Sequence, residues 1–427
     1  MEFRLKPGFL LGAASSATQI EGGELDHSWN DWFSQGRIKD GSDPARAADH
    51  YARWREDTEL MAELGISVCR FGIEWARICP EEDRVDEAAL SHYREEILFM
   101  KELGIQPLMT IHHFTNPMWF ERKGGFARAE NNRYFLKLVE ITVDALGDLV
   151  SEYITINEPN VFATESYYFG DWPPGAASFK EAVRVMNNLT ACHIKAYDLI
   201  HARRRAMGFT DTMVSFANSM RVFAPKNPKN PLHRFSASLT RRVFQGALTT
   251  AMTLGKFSWP LKNMAGVESG EYLDFIAINY YSRSTVTRLG DGVREGSPKN
   301  DLGWEIYPEG IVTCAREHYQ VLPRPIWITE NGTCDNRDAF RSRYIYDHLS
   351  ALSASDLPVQ RYYHWSFTDN FEWLEGERAR FGLVHVDYET QQRTVKDSGR
   401  FYAGLIKEHG VTGELYRDHV ADQEYHA

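Results

Sequence analysis

Met61-Ala-Glu-Leu-Gly-Ile66 recurs in the chain as Met100-Lys-Glu-Leu-Gly-Ile105. Each copy closes an amphipathic stretch, over 49–64 and 86–103, with apolar residues at helical spacing. Each places a glycine where a helix C-cap needs a positive φ. Each is followed by a short apolar run, 67–71 and 106–111, that reads as a buried strand. Helix, glycine stop and strand, twice over, is the rhythm of a parallel sheet with helical crossovers.

Outward from this repeat, further strands are expected at 9–14, 153–156, 213–216, 275–278, 326–329 and 360–365, which makes eight. Helical segments follow most of them, at 179–206, 311–320, 341–354 and 399–409. The expected fold is α/β, a single (β/α)8 barrel of the TIM type with its active site at the C-terminal ends of the strands. A doubly wound open sheet is the competing architecture, but no Gly-x-Gly-x-x-Gly follows the first strand. No low-complexity stretch or Pro/Gly/Ser linker divides the chain, so residues 1–427 are expected to form one domain.

Composition narrows the partners. With 48 basic and 59 acidic residues the net charge is −11, and no basic stripe stands out. That argues against nucleic acid or an anionic membrane as partner, whereas a neutral small molecule would feel little of this charge. No apolar run reaches the 18 or so residues of a membrane span. The five cysteines form no close pair, which fits a reducing, cytoplasmic compartment and speaks against a zinc site. The basic, then apolar start of the chain resembles a short leader, but 9–14 is read as the first strand. Symmetry preference alone would allow a homo-oligomer.

Polar residues cluster just after the expected strands. Gln19 and Glu21 follow the first, Arg70 ends the second, and His112 and His113 follow the third. Asn157 and Glu158 follow the fourth, Asn279, Tyr280 and Tyr281 the sixth, and Glu330 and Asn331 the seventh. Trp365 ends the eighth, with Asp369, Asn370 and Glu372 beyond it. A barrel brings these ends to one face. A single carboxylate after a strand is usually a helix cap or loop charge; many polar strand ends together are harder to assign to chance. Adjacent strand residues point to opposite faces, so only one of His112 and His113 can face the site, and no metal is expected.

Two carboxylates across one barrel mouth are what glycoside hydrolysis requires, one protonated and one ionised. Glu158 and Glu330 are the candidates. Pro159 is expected to hold Glu158 extended. Arg70 would keep a neighbouring carboxylate ionised, and Tyr281 could donate to the same group. The acid is then whichever glutamate lies away from Arg70; at this point either assignment stands.

These residues sit in motifs that resemble those of glycoside hydrolase family 1, the β-glucosidase family, from about residue 9 to residue 405. The matches include Thr18-Gln-Ile-Glu-Gly22, Arg70-Phe-Gly-Ile-Glu-Trp75, Thr110-Ile-His-His-Phe114, Thr155-Ile-Asn-Glu-Pro159, Ile278-Asn-Tyr-Tyr281, Ile328-Thr-Glu-Asn-Gly332, and Trp365-Ser-Phe-Thr-Asp-Asn-Phe-Glu-Trp373 continuing to Arg380-Phe-Gly-Leu383. The resemblance implies a retaining β-glycosidase, foremost a β-glucosidase, without cofactor or metal, acting on a small β-glycoside or short oligosaccharide. It implies Glu158 as acid/base and Glu330 as nucleophile, supported by Arg70, Tyr281 and Asn279. It gives Asn157 to the sugar 2-hydroxyl, Gln19, His113 and Trp373 to O3 and O4, and Glu372 to O4 and O6. Trp365 would lie under the sugar, Trp304 would be the leaving-group platform, and Phe381 would be a further substrate-binding residue. A 6-phospho-β-glycosidase is the nearest alternative, but Glu372 would repel a dianion, and Ala379 and Phe381 stand where such relatives carry Lys and Tyr. An inactive sugar-binding relative would lack one of the two carboxylates. Gly72, Glu74, Asn160 and Glu377 depart from the common pattern. Glu74 is expected to add a buried charge near the mouth, and Asn160 to alter the leaving-group side.

Overall fold

Eight parallel strands close into a ring in the computed structural model, which describes residues 2–288 and 290–426. Met1, Leu289 and Ala427 fall outside the described residues. The strands are β1 (Leu10–Ala14), β2 (Val68–Gly72), β3 (Gln106–His112), β4 (Glu152–Asn157), β5 (Met213–Pro225), β6 (Ile276–Val286), β7 (Ile326–Asn331) and β8 (Val359–Trp365). Each pairs with the next, and β8 returns to β1 in parallel register, Trp365 beside Ala14. Helices α1 (His50–Glu63), α2 (Glu87–Glu102), α3 (Asn132–Leu146), α4 (Phe179–Ala206), α5 (Ala247–Leu254), α6 (Glu309–Tyr319) and α7 (Arg341–Ala354) lie in the seven crossovers, and α8 (Asp397–Glu408) follows β8. This is the expected barrel.

The repeat does what its glycines imply. Gly65 and Gly104 both have φ +77°. Ile66 N–H reaches back to the Met61 carbonyl at 3.0 Å, and Ile105 to Met100 at 2.8 Å, each closing a helix and aiming the chain into β2 and β3.

Alternation along the strands makes two cores. In β2, Cys69 and Phe71 pack against the helix layer, while Val68 faces inward with Leu108, Ile154, Ala217, Ala277, Trp327 and Tyr363. The inner core fills the lower barrel, so its upper end can carry polar groups. The bottom is closed by a buried pair, with Arg361 donating to both oxygens of Glu152 at 2.5 and 2.7 Å. Arg361→Met should cost about 3–5 kcal/mol in urea unfolding, because Glu152 keeps its burial and loses its cationic partner, retaining only the Gln106 amide. Adding Glu152→Gln should recover most of the loss. A cost below about 1 kcal/mol, or no recovery, would remove this pair from the account of stability.

Two strands outrun their expected lengths. The expected 213–216 and 275–278 cover only the lower parts of β5 and β6, which continue as a paired ribbon to Pro225 beside Val286. Asn218, Ser219 and Arg221 interrupt the apolar pattern, and it was that pattern that marked the strand. Helices α3 and α5 lie outside the segments expected from sequence, and the two helices best marked by periodicity, α4 and α7, have the expected bounds.

Candidate active site

The C-terminal rim of the barrel holds a cavity of about 360 Å³. Glu158, Glu330, Glu372, Tyr281, His113, Trp365, Trp373, Phe381 and Trp304 all line it. Arg70, Asn157, Asn279 and Gln19 lie directly behind that lining and are at most 1% exposed.

Irregular pairing positions several of these groups. The ladder slips between Ile154 and Asn157 where β4 meets β5, and between Ile278 and Asn279 where β6 meets β7. Bulges re-aim side chains; here they bring Asn157 and Asn279 into contact, Asn279 Nδ2 donating to Asn157 Oδ1 at 2.9 Å. At the end of β7 the chain passes against β8 so closely that a Cβ on Gly332 would lie 1.8 Å from the Trp365 carbonyl oxygen. Only glycine lets Glu330 and Trp365 share that corner.

Pro159 does not hold Glu158 extended, contrary to the sequence-based expectation. Glu158 has φ +40° and ψ +58°, in the left-handed region. Its N–H still bonds to the β5 carbonyl of Ala217 at 2.7 Å, while its own carbonyl accepts from Phe162 in the helix that begins at Pro159. A strand becomes a helix within one residue, and a left-handed turn achieves that. Phe114 (φ +69°) and Trp373 (φ +51°) share this conformation and also line the cavity. Such backbone costs on the order of 1 kcal/mol or more per residue and collects where function requires it.

The electrostatics separate the two carboxyls. Arg70, fully buried, donates to Glu330 Oε1, and Tyr281 donates to Oε2 at 2.6 Å. Arg70 also donates to Asn157 at 2.6 Å and to Thr110 at 3.0 Å, which fixes the guanidinium. Burial pushes the Glu330 carboxyl upward, and Arg70, Tyr281 and Asn279 pull it back. Glu158 has only neutral donors, Asn279 at 2.9 Å and the Ser219 hydroxyl. Burial, and then the charge on Glu330, push Glu158 up to about 8. The glutamate away from Arg70 is therefore Glu158, the alternative the sequence alone left open.

The remaining groups at the cavity divide into a polar and an aromatic set. Gln19 donates to the Phe371 carbonyl at 3.0 Å and to Glu372 at 3.4 Å. Asn157 donates to His113 Nε2 at 3.0 Å, so the other ring nitrogen carries the proton. Burial holds His113 well below its usual range and keeps it neutral. Among the described residues, Gln19 Oε1, an acceptor, and His113 Nδ1, a donor, are buried without a hydrogen-bond partner. Trp365 and Trp373 both lie nearly parallel to His113, with ring centroids 5.8 and 5.9 Å away. Trp304 stands at the rim, packed on Tyr281 and Phe381. His112 turns away into the helix layer, beside Phe126 and Phe162 and bonded to Asn116.

Glu74 is buried beside the site, as expected, and lines a small hollow with His113. Glu74 does not bring its charge to the main cavity. It accepts from Thr18 at 2.5 Å and from Ala76 N–H at 3.2 Å, capping a short helix. Asn160 is fully buried and donates to the Ser219 carbonyl, and Glu377 pairs with Arg46; neither lines the cavity. Glu165, Trp172, Ser219 and Arg221 do line it and carried no signal in the sequence. Ser219 and Arg221 sit on the unexpected upper half of β5, and Glu165 on the π-helix Thr164–Phe169.

Comparison with known proteins agrees with this geometry. The family model described as Glycosyl hydrolase family 1 matches residues 1–411. Beta-glucosidase A of Thermotoga maritima is 32% identical, over 95% of this chain and 98% of its own length. The structure of a beta-glycosidase from Pyrococcus horikoshii superposes with a TM-score of 0.89 at 33% identity, covering 98% of each chain. That of the Thermotoga maritima beta-glucosidase in complex with glucoimidazole gives 0.87 at 30% identity, covering 96% of this chain and all of the other. With the same barrel, and relatives matched almost end to end, the chain is a β-glycosidase and belongs to glycosyl hydrolase family 1.

Proposed function

We propose that the chain, as one catalytic domain over residues 1–427, hydrolyses terminal β-D-glucosides with net retention, with Glu330 as nucleophile and Glu158 as acid/base. The observation that carries the reading is the unequal treatment of two buried carboxyls. Glu330 has a cation and a phenol to stabilise its charge, whereas Glu158 has only neutral donors, an amide and a hydroxyl, and a charged neighbour. Glu330 attacks the anomeric carbon as Glu158 gives its proton to the departing oxygen, leaving a glycosyl-enzyme ester. Glu158, now ionised, takes a proton from water, which attacks the same carbon and returns Glu330 as carboxylate. The Asn279 amide neighbours both carboxyls, a closeness that favours direct attack over an interposed water.

The remaining roles follow the site. Asn157 would reach the 2-hydroxyl, and the unpartnered Gln19 Oε1 and His113 Nδ1 suit a sugar hydroxyl, which both donates and accepts. An unpaired buried polar atom costs about 1–3 kcal/mol, so a hydroxyl placed there is held firmly. Glu372 would accept from O4 and O6, Trp365 and Trp373 would contact the ring, and Trp304 and Phe381 would face the leaving group. Two carboxyls suffice for this chemistry, without cofactor or metal. Five buried free cysteines fit a cytoplasmic setting. Among the described residues no helix is long and apolar enough to cross a membrane.

The test is turnover of 4-nitrophenyl β-D-glucoside beside its 6-phosphate and the β-galactoside and β-fucoside. The neutral glucoside should be cleaved and the 6-phosphate refused, because Glu372 borders the sugar and Lys39 in the same wall is already paired with Glu375. Turnover of the 6-phosphate alone would overturn the neutral-sugar reading.

A further inference from the structure

Glu74 departs from the family's common pattern, lies beside the sugar site and takes no part in the chemistry of Glu158 and Glu330. It is 2% exposed, yet among the described residues no cation pairs with it. Arg77, three residues on, directs its guanidinium to Glu21 at 2.9 Å and to the Gly22 carbonyl at 2.7 Å. Neutral donors hold the Glu74 carboxylate instead. Ala76 N–H meets Oε1 at 3.2 Å, and the Thr18 hydroxyl meets Oε2 at 2.5 Å. Thr18 Oγ1 also lies 2.5 Å from Thr115 Oγ1. A carboxylate only accepts, and a hydroxyl has one proton to give. Thr18 therefore donates to Glu74, and Thr115 donates to Thr18. The chain runs one way and ends on the charge, so each bond strengthens the next.

The three residues belong to three strand ends. Thr18 follows β1 and adjoins Gln19, Glu74 follows β2, and Thr115 follows β3, two residues beyond His113. Gln19 and His113 carry the unpartnered buried atoms that suit sugar hydroxyls. Thr18, Glu74, Thr115 and His113 line one small hollow, which shares His113 with the main cavity. Glu74 is itself anchored. Its backbone N–H donates to Tyr93 Oη at 2.9 Å, and Tyr93 donates to Glu21 at 2.8 Å. A group held in this way can fix the loops that lean on it. Without the carboxylate, two buried hydroxyls lose the acceptor at the end of their chain, and with it the link between the loops of Gln19 and His113.

We propose that Glu74 is a positioning residue: by holding Thr18 and Thr115 it sets the separation of Gln19 and His113, and so the preference for sugars that carry hydroxyls at C3 and C4. The proposal rests on the sugar-binding roles given to Gln19 and His113 above. Glu74 touches no substrate and acts only through those two.

The experiment is kcat/KM for 4-nitrophenyl β-D-glucoside and its 3-deoxy, 4-deoxy and 6-deoxy analogues. A site built to bond a hydroxyl rejects an analogue that lacks it, so the wild type should prefer the parent over the 3-deoxy and 4-deoxy sugars by about tenfold or more. In Glu74→Ala both preferences should fall roughly fivefold, while the preference over the 6-deoxy sugar changes by less than about twofold. A merely structural loss lowers the amount of active protein, scales all four substrates alike and leaves the ratios unchanged; that result overturns the proposal, and so does an equal fall in the 6-deoxy ratio. Thr18→Val cuts the chain but spares the carboxylate and its helix cap, and should reproduce the fall. Thr18→Ser keeps the hydroxyl and should keep the wild-type ratios. This pair also decides where Glu74→Ala does not fold: wild-type ratios in Thr18→Val, or the same fall in both, overturn the proposal. A wild type that accepts the 3-deoxy and 4-deoxy sugars as readily as the parent sinks the reading of Gln19 and His113, and the proposal with it. Discrimination that is present in the wild type and survives the variants sinks the proposal alone. Should the wild type cleave none of the four, the catalytic reading fails instead, and the same ratios, taken as Kd for glucose and its 3-deoxy, 4-deoxy and 6-deoxy analogues by NMR titration, decide in the same way.

Discussion

Glu330→Ala is expected to lower kcat on 4-nitrophenyl β-D-glucoside by roughly 10⁵-fold or more, the scale on which removal of a catalytic nucleophile acts. No other carboxylate replaces it, because Glu158 is held protonated and Glu372 belongs to the polar set. The variant leaves room beside Arg70 for a small anion. Added azide should restore turnover and give the α-glucosyl azide, since attack from the nucleophile's face inverts the β-bond once. In Glu158→Gln the ester still forms, and azide should then give the β-glucosyl azide after two inversions. Product anomers read by NMR distinguish the roles. The opposite pattern, β from Glu330→Ala and α from Glu158→Gln, would exchange the two assignments.

Much of this was legible in the chain because the relevant signals are local. The fold lay in short apolar runs and in two glycines whose φ the helix caps dictate. The polar strand ends lay in sequence order, and a barrel needs no further information to bring them to one face. Other features depend on registers and directions that no local pattern encodes. The slips beside Asn157 and Asn279 arise from pairing between strands distant in sequence. The left-handed turn at Glu158 runs against what Pro159 alone implies, because the β5 ladder and the following helix together impose it. Glu74 read as a buried charge near the mouth and lies there, beside His113, but its second role as a helix cap depends on the turn that follows it. Glu165 and Arg221 stood in stretches without motif, and only the folded rim brings them to the cavity.

The same physical asymmetry makes a prediction about pH. Burial and the charge of Glu330 raise Glu158 to about 8, so near neutral pH it holds the proton the leaving group needs. As pH rises through that value the proton is lost, and kcat/KM should fall along an alkaline limb near pH 8. Glu330 must be ionised, and activity is lost as pH falls through its own pKa. Burial raises Glu330 from its ordinary value, so the acid limb should lie above that of a free carboxylate, while Arg70, Tyr281 and Asn279 oppose the rise. The two titrations belong to an interacting pair, so the bell reports apparent values for both. Glu158→Gln removes the alkaline limb and leaves the acid one. It should lower kcat/KM about 10²- to 10⁴-fold for alkyl glucosides, which need protonation to depart. For 2,4-dinitrophenyl β-D-glucoside, whose leaving group is stable as an anion, the loss in kcat/KM should stay within about tenfold. Its kcat should still fall, because the ester then accumulates without a base to activate water. Equal losses in kcat/KM on both substrates, or an alkaline limb that survives the substitution, would assign the proton to another group. The next candidate is Glu372, which burial likewise raises to about 8 and which lines the same cavity.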